Sequence, residues 1–235
     1  MSDKQSEMLR TLTILLLAVG LAGCTRIVIA PPAKGGWQAL EGRPECRIWN
    51  PNRASQGTAS WDGPCVKDRA QGEGTLVWRY PAGQRRLEQV YTGTMRRGRR
   101  HGHGIYSWPN GDRYEGGFVE GERQGNGVFV FASGDRYEGD FENGKGVLVF
   151  ANGDRYEGNF ENGKRHGTGV LVFANGDRYE GDFEDGRREG VGTYLYANGN
   201  KYEGSFRNGR RHGKGVFTFA SGDRYEGTFR GDVAE

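Results

Sequence analysis

The tripeptide Tyr-Glu-Gly begins at Tyr114, Tyr137, Tyr156, Tyr179, Tyr202 and Tyr225, and the related Tyr-Thr-Gly at Tyr91, so the spacings are 23, 23, 19, 23, 23 and 23 residues. A period of this length means one small supersecondary unit stacked on the next, because a unit so short cannot bury an apolar face by itself. The chain carries 42 glycines in 235 residues, against a usual share of about 7%. Glycine in a helix interior costs about 1 kcal/mol relative to alanine, which disfavours an all-helical fold. Rings make up 12% of the chain, too many for a featureless disordered segment, and the glycines lack the strict triplets of collagen.

A typical unit reads YEGNFENGKRHGTGVLVFANGDR, from Tyr156 to Arg178. Two runs of strand character, Arg155 to Phe160 and Gly169 to Phe173, are separated by Asn162-Gly163. Asn-Gly between such runs signals a hairpin, since both residues tolerate positive φ. Units are joined by Asn-Gly-Asp or Ser-Gly-Asp, and an eroded earlier copy starts at Trp61-Asp62-Gly63. This pattern resembles the MORN repeat. The resemblance implies an all-β fold, an elongated single-layer antiparallel sheet of consecutive β-hairpins, and the strand-and-turn reading independently supports it. The expected organisation is a degenerate repeat over 61–90, then an array over 91–231 (91–113, 114–136, 137–155 short, 156–178, 179–201, 202–224 and a half repeat 225–231), and a tail over 232–235. Seven hairpins and a final strand make 15 strands, about 65 to 70 Å of sheet at about 4.8 Å per strand.

Parity places Phe129 with Phe131, Tyr194 with Tyr196, and Phe217 with Phe219 on one face of their arm, and Tyr114, Gly116 and Phe118 on one face of the other. Whether the two sets share a face depends on the joining loop: an odd number of loop residues unites them and an even number separates them. The short unit, Tyr137 to Arg155, lacks the four residues corresponding to Arg165-His166-Gly167-Thr168. Four is even, so every side chain keeps its face and the expected result is a notch at Asn143-Gly144-Lys145.

The first residues read as an address. Residues 1–23 have a weakly positive start and a 13-residue apolar or small run, Thr11 to Gly23, too short for the roughly 20 residues that span a bilayer but suited to a signal-peptide helix. The run ends in Leu21-Ala22-Gly23-Cys24, which resembles the lipobox of bacterial lipoproteins. That resemblance implies acylation of Cys24, attachment to a membrane through lipid, and, with Thr25 following, an outer-membrane lipoprotein facing the periplasm. Residues 24–36 then form a tether and 37–60 an N-terminal cap. Cys46 and Cys65 remain as an even pair in an oxidising compartment, where a disulfide is the expected use, contributing about 3 kcal/mol.

Nearly every polar residue recurs with the repeat, whereas catalysis needs residues that occur once in a special place; the expectation is a protein that is not an enzyme and has no cofactor. His101, His166 and His212 occupy equivalent turns of separate repeats about 10 Å apart, too far for a shared metal. The formal charge is +3, from 33 basic and 30 acidic residues interspersed, which gives no bulk attraction to nucleic acid. The rows Arg113, Arg136, Arg155, Arg178, Lys201, Arg224 and Glu115, Glu138, Glu157, Glu180, Glu203, Glu226 read as surface stabilisation.

Two sets of residues are candidate contacts. The aromatic set is Tyr114, Phe118, Tyr137, Phe141, Tyr156, Phe160, Tyr179, Phe183, Tyr202 and Phe206, facing a protein partner or, in an alternative reading, a glycan such as peptidoglycan. The basic set is Arg99, Arg100, Lys164, Arg165, Arg187, Arg188, Arg210 and Arg211, which in a further reading touch anionic phospholipid. The resemblance implies a scaffold supplying protein or lipid contacts. The strand Arg224 to Phe229 has no successor in this reading and offers an edge for homodimerisation.

Overall fold

The computed structural model describes residues 35–51, 57–82 and 85–235. The signal helix expected over 1–23, the acylation site Cys24 and all but the end of the tether lie outside the described residues. Among those described there is no helix, and they divide into two compact units between Ser133 and Gly134.

The first unit opens with β1 (Gly36–Leu40), β2 (Arg43–Asn50), β3 (Thr58–Trp61), β4 (Cys65–Val66) and β5 (Arg69–Ala70). A four-stranded sheet runs in the order β1-β2-β5-β4, and a disulfide from Cys46 to Cys65, with Cα atoms 5.9 Å apart, joins β2 to β4. The cap therefore draws on residues 65–70 as well as 36–50. Strand β3 belongs to the repeat sheet instead, pairing antiparallel with β6 (Gly72–Ala82). There follow β7 (Arg85–Arg96), β8 (Arg99–Ser107), β9 (Arg113–Val119) and β10 (Glu122–Val130), each antiparallel to the one before.

The second unit is a run of consecutive hairpins: β11 (Arg136–Asp140), β12 (Lys145–Val149), β13 (Arg155–Glu161), β14 (Lys164–Val172), β15 (Arg178–Glu184), β16 (Arg187–Leu195), β17 (Lys201–Arg207), β18 (Arg210–Thr218), β19 (Arg224–Arg230) and β20 (Val233–Ala234). The turns are those the sequence demands. At Asp185-Gly186, φ is +49° and +84°, the left-handed pair of a two-residue hairpin whose twist matches its strands. Strand β20 corrects the expectation that the last repeat strand has no successor, for it pairs Ala234 with Phe229 and Val233 with Arg230.

Register settles the question of faces. Tyr156 lies opposite Leu171, Leu171 opposite Tyr179, and Tyr179 opposite Tyr194, so both arms of every hairpin send their rings to one side. The short repeat obeys the same rule: Tyr137 faces Leu148 and Leu148 faces Tyr156, while β11 and β12 shrink to five residues around a turn at 141–144. Next to the ring row runs a row of glycines, Gly158 opposite Gly169 opposite Gly181, with Gly192 opposite Gly204 opposite Gly215 further along. Over each such pair a tyrosine lies flat. A Cβ on Gly158 would sit 2.5 Å from the Tyr156 hydroxyl and 2.7 Å from the Gly169 Cα. The hydroxyl itself donates to the Asn159 carbonyl at 3.0 Å, which satisfies the one polar atom of a ring that is otherwise core.

The core of the second unit is thus made on one face of one sheet. Tyr156 is closed by Phe160 of its own repeat and Phe183 of the next, at centroid distances of 5.1 and 4.9 Å and near-perpendicular planes. Tyr179 repeats the arrangement with Phe183 and Phe206, and Tyr202 with Phe206 and Phe229. Edge-to-face pairs of this kind contribute about 0.5 to 1.5 kcal/mol each beyond the area they bury. The opposite face mixes ion pairs with exposed aliphatic side chains such as Val149, Val191 and Leu195. Arg155 pairs with Glu157, Arg178 with Glu180, each at 2.7 Å, and Lys201 with Glu203 at 2.8 Å, all half-exposed, so each pair contributes at most about 1 kcal/mol.

Candidate binding surface

The aromatic contact set is corrected by burial. Tyr114, Tyr156, Tyr179 and Tyr202 are fully buried, and Phe118, Phe183 and Phe206 nearly so. A partner cannot touch them, because the glycine row lets each tyrosine lie down, two phenylalanines close over Tyr156, Tyr179 and Tyr202, and Phe118 packs edge-on against Tyr114. Only Tyr137, Phe141 and Phe160, in and beside the short repeat, keep partial exposure. Tyr156, like Tyr114 and Tyr137, has its hydroxyl pushed up to about 12 by burial.

The basic set is largely structural too. Arg165 donates from Nη2 to the Gly186 carbonyl at 2.6 Å and Arg188 to the Gly209 carbonyl at 2.5 Å, while Arg100 and Arg211 make the same bond to Gly121 and Asp232 at 2.7 and 2.6 Å. The backbone answers in kind: the Gly186 N–H donates to the Arg165 carbonyl and the Gly209 N–H to the Arg188 carbonyl, both at 2.9 Å. These arginines tie each turn to the next and spread over rings, Arg188 lying 5.0 Å from the Tyr194 centroid and 5.5 Å from that of Phe206. Of the others, Arg99 stacks 4.4 Å over Trp49, Lys164 pairs with Asp185 at 2.8 Å, Arg187 donates to Asn208 at 3.0 Å, and Arg210 is exposed.

The contact set leaves out the ring just before each joining loop, although parity already puts Tyr196 and Phe219 on the ring face. Phe150, Phe173 and Tyr196 are half-buried and Phe219 is 46% exposed. Each sits two residues beyond an apolar residue of that face, Leu148, Leu171, Tyr194 or Phe217, and that spacing in the sequence is the signal that marks Phe150 and Phe173 as well. Their loops are held as a ladder: the Asp154 carboxylate accepts from the Ala174 N–H at 2.9 Å, Asp177 from Ala197 at 2.8 Å, and Asn200 from Ala220 at 2.9 Å. The Tyr194 hydroxyl adds a 2.7 Å bond to Asp177, which holds that carboxyl below its usual range.

Between these loop rings and the arginine turns lies a groove of about 450 Å³, lined by Phe150, Phe173, Leu171 and Phe183 on the apolar side and by Arg165, Arg187, Arg188 and Asp154 on the charged side. It has rings, guanidinium groups and one carboxylate. Its chemistry is that of contact: apolar burial, cation–π attraction and hydrogen bonding to an anion. Among the described residues no group of three or more His, Cys, Asp and Glu is placed to hold a metal ion.

A family model described as MORN repeat matches residues 91–113, 114–136, 137–155, 156–178, 179–201 and 202–224. No curated protein matched the chain. Among solved structures, the TCP domain of Drosophila melanogaster SAS-4 in complex with a proline-rich motif of Ana2 is similar at 18% identity, covering 66% of this chain and 84% of that one with a TM-score of 0.39. The TCP10 domain of Danio rerio CPAP in complex with a peptide of STIL is similar at 13% identity, covering 67% and 75%, with a TM-score of 0.33.

Proposed function

The chain belongs to the MORN-repeat family, and from that premise we propose that it is a non-enzymatic scaffold of the cell envelope, held to a membrane by lipid on Cys24 and binding a second protein through its repeats. One observation carries the binding reading. The repeats consume Tyr114, Tyr156, Tyr179 and Tyr202 with Phe118, Phe183 and Phe206 as core, yet leave a groove of about 450 Å³ in which the partly exposed rings Phe150 and Phe173 face guanidinium groups. A surface of that make-up is typical of protein contacts, where aromatic and arginine side chains are enriched.

The anchoring and address rest on the sequence: an apolar run from Thr11 to Gly23 ending in Leu21-Ala22-Gly23-Cys24. Two or three acyl chains hold a protein on a bilayer stably, since each buried CH₂ contributes about 0.8 kcal/mol. In this reading residues 24–36 place the repeats away from the membrane, on the periplasmic side of an outer membrane.

Two measurements test the proposal. Metabolic labelling with an alkyne fatty acid should mark the wild type and spare Cys24→Ser, which should leave the membrane fraction; equal labelling of both would refute the anchor. A photo-crosslinking residue at Phe173 should give one discrete protein adduct in the native host, and the same residue at Val149, on the opposite face, should not. Equal or absent adducts at the two positions would refute the scaffold.

A further inference from the structure

We propose that the groove of the second unit takes an extended polyproline-II peptide, laid across the strands, with an acidic residue at every third position. The inference rests on the scaffold reading and names the chemistry of the partner at that same groove.

Arg165, Arg188 and Arg211 occupy the same place in successive hairpins, each Nη2 bonded to the turn of the following one. Successive members are two strands apart, and antiparallel strands lie about 4.8 Å apart, so the guanidinium groups recur about every 9.6 Å. A polyproline-II helix advances about 3.1 Å per residue with three residues per turn, and so presents the same edge about every 9.3 Å. The mismatch is a few tenths of an ångström per repeat. A β-strand shows one face about every 6.8 Å, and two turns of α-helix cover about 10.8 Å, so both fall out of step within one or two repeats.

Phe150 and Phe173 stand on the other wall of the groove, and Tyr196 and Phe219 hold the equivalent positions in the next two repeats, partly exposed; proline rings dock on aromatic walls at little entropic cost because the helix is already formed. Charge points the same way: Arg165 and Arg188 face a single carboxylate, Asp154, in the groove lining. Arg165 and Arg188 make no ion pair with the protein among the described residues, whereas Arg211 pairs with Asp232 at 3.4 Å; each of the first two uses one amino group on a glycine carbonyl and lies over rings. Their remaining N–H groups suit a carboxylate, and a guanidinium in this setting binds one by short charge-assisted bonds. The short repeat marks where the pattern stops, since its deletion removes the equivalents of Arg165 to Thr168.

The test is fluorescence anisotropy with full-length protein in detergent and three labelled peptides: Pro-Pro-Glu repeated four times, a block peptide of the same composition with all glutamates at one end, and Pro-Pro-Lys repeated four times. The first should bind at least about tenfold tighter than either other. Its affinity should fall with salt and drop about tenfold in Arg188→Gln and in Phe219→Ala, the latter an exposed ring whose loss leaves the core intact. Equal affinity for the ordered and block peptides would overturn the register, and so would binding only to phosphatidylglycerol vesicles. Absence of peptide binding alongside a discrete crosslink at Phe173 would sink this inference and leave the scaffold standing; absence of both would sink the two together.

Discussion

The Tyr156 hydroxyl stands 2.5 Å from the point where a Cβ on Gly158 would lie, with the Gly169 Cα and the Thr168 carbonyl each 2.7 Å from that same point. Ring and glycine row are therefore one device: the missing side chains let the ring lie flat and seal a face that has no second layer.

Gly158→Ala should accordingly destabilise the protein by about 3 kcal/mol or more, because backbone as well as ring must move. Gly186 is the control. It has φ +84° with nothing near its missing Cβ, so Gly186→Asn should cost less than about 1 kcal/mol, asparagine being tolerant of that region. Urea titrations of the two variants check this, and similar midpoints would refute the packing account.

The loop ladder makes a chemical prediction. Asn200 accepts the Ala220 N–H just as Asp154 accepts that of Ala174. Asp154→Asn should then be nearly neutral, while Asp154→Ala, which leaves the Ala174 amide without its partner, should cost about 1 kcal/mol. Thermal midpoints decide between them, and a loss in the Asn variant equal to that in the Ala variant would show that charge, not the hydrogen bond, matters.

Alkaline pH should unfold the protein. Burial raises the hydroxyls of Tyr91, Tyr114, Tyr137 and Tyr156 from 10.0 to about 12. A group raised in the folded state gives stability that is whole below the unfolded value and is lost as pH climbs through the folded one. Stability should therefore begin to fall near pH 10 and go on falling to about pH 12. Tyrosinate absorbance and circular dichroism followed together should change together; full tyrosinate signal near pH 10 with the fold intact would contradict the burial.

Joining β2 to β4, the Cys46–Cys65 bond closes a loop of sequence separation 19, which in the chain-entropy model contributes about 3 kcal/mol. The double variant Cys46→Ser and Cys65→Ser should lower the denaturation midpoint of the first unit and leave the aromatic core of the second unchanged. Tryptophan fluorescence isolates the effect, since all five tryptophans precede residue 109.

The groove shows where residue-level reading reached its limit. The arginines of the turns look like a free cationic edge, because the Gly186 carbonyl that binds Arg165 is 21 residues away and leaves no local mark. Equally, Tyr156 looks like an exposed contact until the register puts Gly158 and Gly169 beneath it and Phe183, from the next repeat, above it.

The 23-residue period, the hairpin turns and the even deletion of the short repeat were legible from the chain alone, because turn chemistry and strand parity act over a few neighbouring residues. Only the tertiary structure decided that both arms send their rings to one face, that Tyr114, Tyr156, Tyr179 and Tyr202 are core, and that rings such as Phe150, Phe173, Tyr196 and Phe219 stay within a partner's reach. Those outcomes depend on which strands lie side by side and in what register, and burial is a property of neighbours a whole repeat away.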